Sequence, residues 1–153
     1  MKKLFTFAIA AAALLFGAEV SAQNITSDVT KDGIRTVQAL ADEVVCATNI
    51  EVQAKGDVIV AVKFTRGCSG NQTGIAHLIE GMKIDEAIKR LDAIPCGKRQ
   101  IDGAPTSCPD QLARVLKMMA GQAPYRSMTA DEVKAYEEER AAKAAARRAQ
   151  RAR

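Results

Sequence analysis

A chain of 153 residues with no tryptophan, 4% aromatic residues and a formal charge of +4 can hold one domain with a modest core of Val, Ile, Leu, Ala and Met. The charge is too mild to argue for nucleic acid by itself. Beyond the first segment, no stretch is apolar enough to span a membrane.

Residues 1–22 read as a targeting segment. Lys2 and Lys3 form a basic n-region, residues 4–16 are an apolar run short for a bilayer span, and Val20-Ser21-Ala22 is a small-residue cleavage site. The expectation is cleavage after Ala22, export to the periplasm or the medium, and no transmembrane segment in the mature chain. Roughly 130 residues then remain, enough for one domain.

Residues 23–32 are polar and read as loose, and Lys31-Asp32-Gly33 is a turn signal. Residues 34–41 read as extended, because Thr36 and Val37 are strand formers, although Ile34, Val37 and Leu40 recur at helical spacing. Residues 47–54 alternate, with Thr48, Ile50, Val52 and Ala54 on one face and Asn49, Glu51 and Gln53 on the other. A turn at Lys55-Gly56-Asp57 and a Val/Ile-rich run over 58–64 complete a predicted antiparallel hairpin.

Three helices are predicted next. Residues 71–81 place Ile75, Leu78 and Ile79 on one face, with Gly81 as the stop. Residues 84–91 repeat Ile84, Ala87, Ile88 and Leu91 behind an acidic first turn. Residues 98–105 read as a loop. Ser107 can cap a third helix whose buried face is Leu112, Val115, Leu116 and Met119, with Pro109 in its first turn. A capping box, Thr129-Ala130-Asp131-Glu132, then opens a long helix that carries six basic and no acidic residues from Arg140 onward. Its apolar face is mostly alanine, so it is expected to project or fray as a solvated tail; a basic arm touching an anionic surface is the other reading.

The four cysteines follow the spacing Cys46-x21-Cys68-x27-Cys96-x11-Cys108. This is not the tight C-x-x-C pairing of a zinc ribbon. Their placement says more, because each falls at a predicted element boundary. Cys68 and Cys108 precede helices, where free N–H groups and the helix dipole favour a thiolate. Three chemistries fit: four thiolates around Zn²⁺, two disulfides in an exported chain, or a reactive thiol at Cys68 or Cys108, for which no second histidine exists as a base. The lone histidine, His77, reads as a helix-surface residue, Asp110 as a stabiliser of a helix start, and Asn71 and Gln72 as helix caps.

Gly67-Cys68-Ser69-Gly70-Asn71, Gly74-Ile75, Leu78-Ile79-Glu80-Gly81-Met82, Cys96-Gly97 and Thr106-Ser107-Cys108-Pro109-Asp110-Gln111-Leu112-Ala113 together resemble the TSCPD-domain family. These are small bacterial proteins, and the module also occurs in ribonucleotide reductases, notably the cobalamin-dependent ones. The likeness covers about residues 45–119, with the signature and all four cysteine positions present. A more distant similarity is to the NifU/IscU-type scaffolds of iron–sulfur assembly, whose three cluster ligands would correspond to Cys46, Cys68 and Cys108. Ala47 and Thr48 stand where those scaffolds have an aspartate, Ser107 where they have a histidine, and Cys96 is extra.

The resemblance implies a metal, zinc before an iron–sulfur cluster, held by Cys46, Cys68, Cys96 and Cys108. It also implies a link to deoxyribonucleotide synthesis, with a nucleotide or a protein as partner, although about 130 residues cannot house a ribonucleoside-diphosphate reductase. The expected fold is α+β: an antiparallel sheet of two or three strands, three short helices on one face, NifU/IscU-like, and a helical tail. The expected division is a signal over 1–22, an extension over 23–44, the TSCPD domain over 45–120, and a linker with the basic tail over 121–153.

Overall fold

The computed structural model describes residues 24–123 and 126–152; the expected signal segment lies outside them. In chain order the elements are β1 (Asn24–Lys31), β2 (Ile34–Leu40), β3 (Asn49–Lys55), β4 (Val58–Thr65), α1 (Ser69–Ile79), α2 (Ile84–Leu91), β5 (Gln100–Ile101), β6 (Ala104–Pro105), α3 (Cys108–Met119), β7 (Arg126–Ser127) and α4 (Ala130–Arg151). The class is α+β. Strands β4, β3, β2 and β1 form an antiparallel sheet in that order, with the two-residue β7 parallel to β1 at the edge. β5 and β6 make a separate two-residue hairpin where a plain loop was expected.

Four antiparallel strands replace the expected two or three. The added strand, β1, comes from the stretch that reads as loose. Its pattern explains why: only Ile25 is buried, and its second half is exposed, Val29 included. β1 is held by its ladder to β2 and not by an apolar face, so alternation carries no signal of it.

The other strands follow their patterns. Ile25 pairs with Ala39, Ala39 with Ile50, Val37 with Val52 and Val52 with Val62. These residues lie on one face and join a single cluster with Ile79, Ile84, Ile88, Leu91, Leu112, Val115 and Leu116 from the helices. The opposite face carries a polar row, in which Gln38 donates to Glu51 at 2.8 Å. The core is aliphatic, as the composition requires; Phe64 packs against it half-buried.

α2 and α3 bury the stripes read from the sequence. α1 does not. Its buried stripe is Gln72 and Ile79, with Ile75 half-buried, while Leu78 is 77% exposed. Positions 72, 75 and 79 follow helical spacing, so a polar residue occupies the place where hydrophobicity would put a leucine. Arg35 on β2 donates to the Met119 carbonyl at 3.1 Å, which fixes the end of α3 over the sheet. Among the described residues no helix is long and apolar enough to cross a membrane.

The packing yields a paired expectation. Leu116→Ala, at a fully buried site, should lower the unfolding free energy by about 3 kcal/mol. Leu78→Ala should leave it within about 0.5 kcal/mol. Urea denaturation of both variants checks which face of α1 packs.

Candidate functional site

The start of α3 organises the cysteine end of the molecule. Ser107 caps the helix, its Oγ accepting from the Asp110 amide at 3.2 Å. Asp110 is only 2% exposed and does far more than favour a helix start. Its carboxylate accepts from the Thr106 hydroxyl at 2.8 Å, the Ala93 amide at 2.9 Å and Arg114 Nε at 3.0 Å. Gln111 donates to Thr106 Oγ1 at 3.1 Å and accepts from the Asp42 amide at 3.1 Å. The backbone of Thr106 closes on the loop after α2: its carbonyl accepts from Cys96 N at 3.1 Å and its amide donates to Arg99 O at 3.0 Å. The network therefore holds the Cys96 loop directly and reaches the start of the Cys46 loop, residues 41–48.

Each cysteine sits where an element begins or a connection turns. Cys46 lies between β2 and β3, Cys68 is the N-cap of α1, Cys96 follows α2, and Cys108 opens α3. All four are free thiols; Cys108 is half-buried and the others are exposed. Partial burial pushes the Cys46 thiol up, Arg99 pulls it down, and the charges of Cys108, Cys68 and Cys96 push it up further. The sulfur atoms do not form a closed ligand shell: among the described residues no group of three or more His, Cys, Asp or Glu side chains is disposed to hold a metal ion.

Two residues that the sequence reading did not place at a site contact the thiols. The Arg99 guanidinium donates to Cys96 Sγ at 3.3 Å and to Cys46 Sγ at 3.7 Å, while its Nε holds the Val44 carbonyl at 2.9 Å. Gln72, read as a cap, is buried and donates its amide to Cys108 Sγ at 3.7 Å. Gly67 makes room for it: a Cβ there would stand 2.2 Å from Gln72 Nε2, and the backbone φ of +104° also favours glycine. The only signal of Gln72 in the sequence is a polar residue on the α1 stripe. Arg99 gives none, because its role depends on two loops meeting. His77 is exposed on α1, 3.9 Å from Glu80, and Asn71 is exposed on the same helix.

The tail docks, contrary to the expectation of a projecting helix. Its capping box forms as read. Three side chains of α4 then reach the Cys46 loop. Tyr136 donates to Ala41 O at 3.0 Å; Arg140 donates to Ala41 O and Ala47 O, both at 2.9 Å. Lys143 pairs with Glu43 at 2.8 Å, and that contact, with Arg147 and Arg140 nearby, holds the Glu43 carboxyl below the usual range despite slight desolvation. α4 buries no residue fully, so polar contacts and not an apolar face hold it. Arg140 grips both ends of the segment that bears Cys46.

A family profile described as the TSCPD domain matches residues 20–120 of the chain. No curated protein and no solved structure gives a match.

Two outcomes are expected for Cys46. Because burial favours its protonated form, its half-maximal alkylation in the reduced, metal-free chain should fall above the ordinary thiol range of about 8.5, and Arg99→Ala should move it higher. The stability tied to that protonated thiol is present below the ordinary pKa and is lost as pH rises through the raised one. Arg140→Ala should cost about 1 to 3 kcal/mol and speed alkylation of Cys46 selectively over Cys68. Mass-spectrometric thiol footprinting against pH reads both.

Proposed function

The chain belongs to the TSCPD-domain family, and on that premise we propose that it is a small metal-binding module, with Cys46, Cys68, Cys96 and Cys108 as ligands of one divalent ion in a structural or protein-docking role. The observation that carries the reading is the Arg99 bridge: one guanidinium donates to Cys96 Sγ and to Cys46 Sγ, thiols from two separate connections. Arg99 stands where a cation is wanted, and the Gln72 amide donates to a third thiol.

The donor set fits zinc. Four thiolates give a tetrahedral, redox-inert and closed site, in which the ion neutralises the ligands and cross-links their connections without an open position for substrate. Ligation requires the sulfur atoms to draw closer than Arg99 allows in its present bonds, so the Arg99 side chain must yield as the ion enters. The Asp110 network supports such a site from behind, as outer-shell partners do for metal ligands generally.

Residues 1–22 fit an export signal, and export sets metal against disulfide, because an even set of cysteines in an oxidising compartment tends to pair. The test is made on protein recovered from the periplasm. The expected outcome is a mature N-terminus at Gln23, one zinc per chain, and four titratable thiols after denaturation with chelator. Chelation should lower the melting temperature. Cys96→Ser should weaken binding, and Cys108→Ser at least as strongly, read by competition with a chromophoric chelator. Two linked cysteine pairs by mass spectrometry, with no metal, would overturn the proposal for the exported form.

A further inference from the structure

The side of Cys46 that faces α4 carries more positive charge than the fold uses. A cavity of about 200 Å³ opens there between the Cys46 loop, the end of β4 and the tail helix; Glu43, Cys46, Arg66, Arg140, Lys143 and Arg147 line it. Four cations face one carboxylate. Lys143 is matched by Glu43 and Glu139, each at 2.8 Å. Arg140 is held by two carbonyl oxygens, which orient it without cancelling its charge. The side chains of Arg66 and Arg147 make no hydrogen bond or ion pair among the described residues. Glu43 is already committed to Lys143, with Arg147 and Arg140 acting on it in the same direction.

The two unmatched guanidiniums come from different elements. Arg66 follows β4, in a left-handed conformation with φ +63° just before Gly67-Cys68. Arg147 lies on α4, beyond the residues that match the family profile. Guanidinium groups fork onto oxyanions with geometric specificity. The cavity is smaller than the roughly 300 to 1,000 Å³ of a site for a drug-sized ligand, so it suits one tetrahedral anion better than a whole nucleotide. Two unmatched cations favour a dianion over a monocarboxylate.

We propose that this cavity binds a phosphate group, free or as a terminal phosphomonoester, gripped between Arg66 and Arg147, with Arg140 and Lys143 adding charge behind it. The site stands independently of the metal, because every group that grips the anion lies outside the four cysteines. Half of it is built by the tail, which gives the docked α4 a role beyond support of the Cys46 loop.

The test titrates the purified full-length chain calorimetrically with inorganic phosphate and with glycerol 3-phosphate, against sodium chloride at equal ionic strength. Saturable binding of either is expected. Arg66→Asn, which suits a left-handed backbone, and Arg147→Ala should each weaken it about tenfold, the effect of one lost charge-assisted contact. Arg66→Lys should restore part of the loss. Co-sedimentation with phosphatidylcholine vesicles containing phosphatidic acid separates the sources. Vesicle binding lost in the same variants, without binding of the soluble probes, would identify a lipid headgroup as the carrier of the phosphate. Binding no stronger than chloride in both assays would overturn the proposal. So would binding undiminished in the Arg66→Asn/Arg147→Ala double variant. Loss on Cys46→Ser with no effect of either arginine would also overturn it, and would mean that the cations serve the thiols alone.

Discussion

The buried carboxylate of Asp110 is the constraint on which the cysteine end of this molecule depends. A charge taken out of water is tolerated only when paired and hydrogen-bonded, and Asp110 meets both conditions through Arg114, Thr106 and the Ala93 amide. Meeting them fixes the loop after α2, because the Ala93 amide cannot reach the carboxylate unless the chain turns there; Ala93 is accordingly left-handed, with φ +56°. Thr106 and Gln111 extend the same network to Cys96 and to the Cys46 loop. The signature Thr-Ser-Cys-Pro-Asp is thus one local unit. Threonine and aspartate bind neighbouring loops, serine caps the helix, proline suits its first turn, and cysteine is presented at its start.

The sheet and the tail supply what that unit lacks. The aliphatic face of β1 to β4 carries α3, and Arg35 ties the far end of α3 to β2. The near end is therefore held between a packed core and a polar network. α4 acts on the remaining cysteine by a different physics. With no fully buried residue, it gains little from the hydrophobic effect and relies on charged donors aimed at carbonyl oxygens and on the Lys143 pair with Glu43. Surface ion pairs of this sort contribute little each and weaken with salt. The grip on the Cys46 loop is correspondingly adjustable, unlike the hold on Cys96 and Cys108.

Much of the fold was legible from periodicity. β3 and α2 each bury one regular stripe that matches the alternation and the three-to-four spacing in the chain, and α3 buries the predicted Leu112, Val115, Leu116 and Met119 among other residues. The capping residues Ser107 and Thr129 and the turn at Gly56 were legible because each satisfies a local backbone need. β1 was not, since an edge-directed strand with one buried residue has almost no pattern. Leu78 misled for the opposite reason: it is apolar and at helical spacing, yet Gln72 holds the buried place because its amide has a sulfur to meet.

By itself, the sequence determined the class of fold, the family, the aliphatic nature of the core and the placing of Cys68 and Cys108 at helix starts, because these depend on residues near one another along the chain. Only the tertiary structure decided which side chains stand between the thiols, that the tail folds back onto Cys46, and that Arg66 and Arg147 share a cavity 81 positions apart in the chain. Those relations join the end of β4, the loop after α2 and α4. Nothing in a local pattern records them, since hydrogen bonds between side chains and distant carbonyl oxygens leave no periodic trace.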